Sequence, residues 1–213
     1  MALRDWLGAV KCALIAPREF FRERTPNLGA TTLLVAVVAL LHTLLIVGLL
    51  LVVVQLSAVV EPTAGELLGA VAGRSFAQAI GAGVLVFFNW VVVSGILHVV
   101  IKLLDGDGTF ADTLHVVGWS TPVSLLLIVI LGFTVFLSVQ GMNSYESVTR
   151  QIAEIQSTAG GAAILGSIVV LGWQAQIWRA GLRAVHDPPR EAPMKAAFLT
   201  AAIAFMAAAL TAF

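Results

Sequence analysis

The chain has 213 residues, 59% of them hydrophobic and only 11% charged, and its mean hydropathy of +0.98 is far above that of a soluble domain. Twelve Lys and Arg balance twelve Asp and Glu, so no excess positive charge points to nucleic acid as a partner. A single cysteine, Cys12, excludes an internal disulfide framework.

The charges fall in clusters between long uncharged runs, which predicts an all-α polytopic membrane protein. Residues 1–24 read as a cytoplasmic amphipathic segment, and residues 25–213 as a five-span membrane domain. In the first segment Leu3, Trp6, Leu7, Val10 and Leu14 recur at helical spacing, with Arg4, Asp5, Lys11 and Arg18 largely off that face. A helix lying in the headgroup region is the simplest reading. Its interrupted apolar run is unlike a cleaved signal. Pro17 ends or bends it, and Phe20 and Phe21 follow as interfacial anchors.

Five transmembrane helices are then expected over residues 30–58, 76–102, 114–139, 159–178 and 194–213. The first carries His42 and Gln55, and the second Gln78, Asn89, Ser94 and His98. Pro122 removes a backbone bond within the third, where Ser120, Thr121 or Ser124 can satisfy the freed groups. Outside the bilayer, Glu61 to Arg74 is a short connection bearing Gly69-x-x-x-Gly73. Gln140 to Thr158 reads as a surface helix, capped by Asn143 with Glu146 at the third position, and with Val148, Ile152 and Ile155 along one face. Ala77/Gly81, Ala162/Gly166 and Ala204/Ala208/Ala212 are small residues four apart, suited to close helix packing or to contact with a second copy of the chain.

Basic residues set the orientation. Arg4, Lys11, Arg18, Arg22, Arg24, Lys102, Arg179, Arg183, Arg190 and Lys195 share one side, ten against Arg74 and Arg150 on the other. The expected protein is a multi-pass protein of the cell membrane, with its N-terminus cytoplasmic and its C-terminus outside.

Between spans two and three lies Leu103-Leu104-Asp105-Gly106-Asp107-Gly108-Thr109-Phe110, a cytoplasmic turn. Gly106 and Gly108 are expected to supply backbone angles closed to other residues. Thr109 is placed to cap the next helix, answered by Asp112 as in a capping box.

Chemistry is sparse. Apart from Lys102 and Lys195 at span ends, no Asp, Glu, Lys or Arg lies within a span, and His42, the one ionisable group at depth, reads as a hydrogen-bonded packing residue. His98 and His115, with Asp105, Asp107 and Asp112 nearby, are suitable cation ligands by type but match no metal motif. The acidic turn lacks the downstream glutamate of a calcium loop and the lysine of a phosphate loop. No nucleophile–base arrangement has interpretable spacing, so no catalytic residue, cofactor or metal is assigned and the chain is read as a non-enzyme. Gln174, Gln176, Trp173 and Trp178 read as an interfacial belt.

Five spans preceded by Pro17-x-x-Phe20-Phe21, the turn Gly106-Asp107-Gly108-Thr109-Phe110 and Pro122 a dozen residues on together resemble the Yip domain family, the Ypt/Rab-interacting membrane proteins. The resemblance covers about Pro17 to Phe213; in the family the glycines of the turn are often paired, and here Asp107 separates them. It implies a role in membrane organisation or the recruitment of a cytoplasmic protein, since eukaryotic members act in early secretory traffic and contact Rab-type GTPases. The short N-terminal region is like that of a minimal prokaryotic member, bacterial or archaeal. Pro17, Phe20, Phe21, Gly106, Gly108, Thr109, Phe110 and Pro122 are then the residues that build the working face. The expected partners are the lipid bilayer, a cytoplasmic protein and a second copy of the chain. The competing expectation is a small-solute channel lined by His42, Gln55, Asn89, Ser94 and His98.

Overall fold

The computed structural model describes the backbone of residues 3–60, 65–140, 148–189 and 191–212. The helices in order are α1 (Leu3–Ile15), α2 (Pro17–Glu23), α3 (Leu28–Val60), α4 (Gly65–Leu103), α5 (Phe110–Ser120), α6 (Leu125–Gln140), α7 (Val148–Val185) and α8 (Ala192–Ala212). A 3-10 turn, Thr121–Ser124, joins α5 to α6. Among the described residues, Leu28–Leu49, Ala79–Leu103, Phe110–Thr134 and Gly160–Val185 are long and apolar enough to cross a membrane. Ala192–Met206 is a shorter apolar helix that completes the bundle. Helices suit this setting because each satisfies its own backbone where no water is at hand. The protein is an all-α, multi-pass membrane protein.

The helices extend further than the runs of uncharged sequence. Val148–Val185 is one continuous helix, so the surface helix expected over Gln140–Thr158 and the fourth span are not separate elements. No proline interrupts the join, and Gly160 and Gly161 lie in open space. Asn143 and Glu146, and the side chains of Val148, Ile152 and Ile155, lie outside the described residues. So do the side chains of Gln55, Gln78, Ala208 and Ala212 and the surroundings of Gly69 and Gly73. At its other end α7 runs on past Trp178, which puts Arg179 and Arg183 on helix rather than in a connecting loop.

The buried core gathers at one end of the bundle, around Phe20, Phe21, Leu97, Ile101, Val116, Trp119, Trp178, Leu182 and Ala197. Toward mid-bundle the large side chains point outward, as with Val84, Leu85, Phe88, Val129, Phe133, Leu165 and Ile168. An outward apolar surface of that kind is stable only against lipid.

Two expectations for the N-terminal segment are corrected. The face of α1 turned inward is centred on Ala9 and Ala13, 1% and 0% exposed, flanked by Trp6 and Val10, whereas Leu7 is 54% exposed. Small side chains let α1 pack closely against α2 and α5, and Trp173 Nε1 donates to Leu14 O at 3.1 Å to hold the end of α1 on α7. Phe20 and Phe21 are core residues, 1% and 4% exposed, rather than interfacial anchors. Pro17 starts the short helix that delivers them, occupying a first-turn position where its missing N–H has no partner to lose. Phe20 then packs on Trp119 with ring centroids 4.7 Å apart, and Phe21 stands edge-on to His115 at 6.0 Å.

At Pro122 the α-helix gives way to the 3-10 turn Thr121–Ser124. Proline offers no N–H to the carbonyl of Gly118, which instead accepts from the Thr121 backbone N–H and from the Thr121 hydroxyl at 2.7 Å. Ser120 and Ser124 hydroxyls donate back to Val117 O and Thr121 O at 2.7 and 2.6 Å. The indole of Trp178, expected in a belt, is instead buried and donates to Ser120 Oγ at 2.7 Å. Gln174 Nε2 donates to Ser120 O at 3.3 Å, and Trp173 alone of these two tryptophans stays at the rim.

Of the small-residue pairs, Gly166 marks a close approach of α7 to α6, since an added Cβ would stand 2.8 Å from Leu127 Cδ1. Ala77 is exposed and an added Cβ on Gly81 would meet nothing, so that pair marks no close approach of helices. The close approach of α4 to α3 falls instead at Gly83, where a Cβ would overlap the Thr43 hydroxyl.

Candidate functional site

The turn after α4 is built from backbone hydrogen bonds. Gly106 N donates to Ile101 O at 3.0 Å and Asp105 N to Lys102 O at 3.2 Å, a Schellman arrangement that satisfies carbonyls left over at the helix end. The left-handed residue in it is Asp105, at φ 63°, and no described glycine has positive φ. The expectation that Gly106 and Gly108 supply unusual backbone angles is therefore corrected; aspartate tolerates that conformation better than most residues.

The glycines serve space. A Cβ on Gly106 would lie 2.9 Å from Ile101 Cγ1 and 3.0 Å from Ile101 O. One on Gly108 would lie 2.6 Å from His186 Nδ1 and 2.7 Å from Val185 O. The turn thus lies directly on the connection from α7 to α8, and Asp107 N donates to His186 O at 3.2 Å to fasten it there.

Thr109 then caps α5 as expected: its backbone N–H donates to Asp112 Oδ2 at 2.8 Å, and Asp112 N donates to Thr109 Oγ1 at 3.3 Å. One turn further, Thr113 projects into the bundle, fully buried. Its hydroxyl meets His186 Nε2 at 2.9 Å and His98 Nδ1 at 3.2 Å, with Thr109 O 3.4 Å away. A hydroxyl has one proton; given to Thr109 O, it leaves both imidazoles to donate to the oxygen. His186 then presents Nδ1 as a bare acceptor, and that atom has no partner among the described residues. Burial lowers the pKa of His186 to about 4, and the neighbouring His98 pushes in the same direction.

A second pair repeats the pattern at His115, two residues further along α5. The Thr31 hydroxyl donates to Asn27 O at 2.9 Å and meets His115 Nδ1 at 2.7 Å. Trp90 Nε1 donates to Leu114 O at 2.8 Å beside it, and Gly118 leaves the room that the Thr31 methyl fills. Phe110 closes the outer side by standing edge-on to His98 at 5.6 Å, itself 39% exposed.

The structure thus brings Phe20, Phe21, Gly106, Gly108, Thr109, Phe110 and His98 to one end of the bundle, with Pro122 just below them. His42 and Asn89 lie apart. His42 Nδ1 bonds its own helix at Val38 O, 3.1 Å, and Asn89 is exposed on α4. His98 and His115 each face a threonine, Asp105 and Asp107 are exposed, and Asp112 is engaged in its cap. Among the described residues no three His, Cys, Asp or Glu side chains converge on a metal position. The arrangement is a hydrogen-bonded, aromatic-packed closure.

Thr31, Thr113 and His186 were not singled out by the sequence reading. His186 sits in a Pro-rich charged connection that reads as solvated, and nothing local signals a partner 73 residues upstream.

Comparison with curated proteins and with solved structures gives no match. The model of the Yip1 domain family matches residues 11–213, almost the entire chain and every element of this closure, and the chain belongs to the Yip1 domain family.

Proposed function

We propose that this protein is a non-enzymatic membrane protein of the cell membrane that recruits a cytoplasmic partner through the closed end of its bundle. The observation that carries this reading is the division of labour at that end. Phe20, Phe21, Gly106 and Thr113 are spent inward on rigidity, while Leu103 at 79% exposure, Phe110, Asp105 and Asp107 stand outward on a fixed turn. The ten-to-two distribution of basic residues supports placing this end in the cytoplasm. Family membership makes a small GTPase the first partner class to test.

The channel reading loses its polar stripe. Ser94 is buried and donates to Trp90 O at 2.6 Å, whereas Asn89 points out of the bundle. An amide facing lipid near the middle of a span suits contact with a second copy of the chain, where the two amides satisfy each other.

The test is site-specific photocrosslinking from position 107 in native membranes, with position 84 on the lipid-facing surface as control. A cytoplasmic protein captured from 107, absent from 84 and lost on Gly108→Val, supports recruitment. Capture of the chain itself alone, or of the same proteins from both positions, overturns it.

A further inference from the structure

A groove of about 740 Å³ lies on the flank of the same end, between α2 and the last turns of α7. Arg18 and Arg22 line it from α2, and Arg179 and Arg183 from α7, each pair one helical turn apart. Glu19 is the one acidic residue in the lining. Arg22 touches Glu23 at 4.0 Å with both side chains solvated, and Arg18, Arg179 and Arg183 have no ion pair among the described residues.

Like charges one turn apart repel along each helix, and packing α2 on α7 sets the two pairs across a shared cavity. Topology alone requires only that basic residues sit on this side of the membrane; it does not require them to face one another around an open space. An anion between them offsets the repulsion, and guanidinium forks fit a phosphate in particular.

Depth decides the kind of phosphate. Arg179 and Arg183 lie within the final turns of the apolar segment Gly160–Val185, at headgroup level, and the rim carries Ile15, 69% exposed. Ala180 and Ala184 each follow an arginine along α7, and their short side chains leave the groove open between the guanidinium groups. We propose that this groove seats the phosphate headgroup of an anionic membrane phospholipid. The site is separate from the outward turn, so the inference does not depend on partner recruitment.

The full-length protein, purified in detergent and stripped of lipid, is titrated with short-chain phosphatidylglycerol, with phosphatidylcholine of the same chain length, and with inorganic phosphate, bound species being read by native mass spectrometry. Phosphatidylglycerol is expected to bind at least tenfold more tightly than phosphatidylcholine. The double variant Arg179→Gln/Arg183→Gln is expected to lose that preference, while Arg4→Gln/Lys11→Gln on α1 keeps it. Should the α7 variant fail to fold, Arg18→Gln/Arg22→Gln on the exposed face of α2 gives the same reading. Equal binding of the two lipids, or an undiminished preference in the groove variants, overturns the site. Inorganic phosphate that displaces the lipid at equal concentration assigns the groove to a soluble anion and overturns the lipid.

Discussion

The hydroxyl of Thr113 lies 2.9 Å from Nε2 of His186 and 3.2 Å from Nδ1 of His98, so one side chain of α5 couples α4 to the connection between α7 and α8. Replacing it with valine keeps the shape and leaves two imidazoles without their shared partner. Thr113→Val is expected to cost about 1–3 kcal/mol, the penalty of a buried polar group left unpaired. Thermal unfolding in detergent measures it, and Thr113→Ser should recover most of the loss. A valine variant as stable as the parent would show that the pair carries no energy.

His186 gives the closure a pH dependence of definite sign. Its folded pKa, about 4, lies below its ordinary 6.5, so between those values the unfolded chain binds the extra proton. The contribution is complete above pH 6.5 and is lost as pH falls toward 4. The steepest slope is about 1.4 kcal/mol per pH unit. Unfolding midpoints between pH 7.5 and 4.5 test this, with His186→Gln expected to flatten the profile.

The glycines divide by whether they face a neighbour. Gly108→Ala drives a methyl against His186 and Val185 O and is expected to destabilise by about 1–3 kcal/mol. Gly81→Ala has open space and should be neutral or slightly stabilising, because alanine favours helix. Equal melting temperatures for the two variants would contradict this packing.

Phe20→Ala separates a core role from an interfacial one. Burial against Trp119 predicts a loss of about 3–5 kcal/mol. A side chain merely resting in headgroups would give under about 1 kcal/mol and would instead weaken vesicle binding by an isolated N-terminal peptide.

What the sequence discloses follows the range of the interactions involved. The all-helical membrane class, the Thr109/Asp112 cap and the bypass at Pro122 were legible because each is decided by composition or by residues a few positions apart. The role of Phe20 and Phe21 was not: two aromatics after a proline look alike whether they meet lipid or Trp119. Gly106 and Gly108 were recognised as special but for the wrong reason, since the need for space depends on His186, which no local pattern reveals. The same limit hid the partnership of Thr31 with His115.

The lock between the Gly108 turn and His186 has an order of assembly built into it. Ribosomes deliver the turn first, and α5 can insert and cap itself while His186 is still unmade. Until α7 has crossed and its end has emerged, the crevice beside Gly108 is open and Thr113 lacks its later partner. Nascent chains halted before that point therefore carry an unlatched end, in which Thr113 has yet to meet His186.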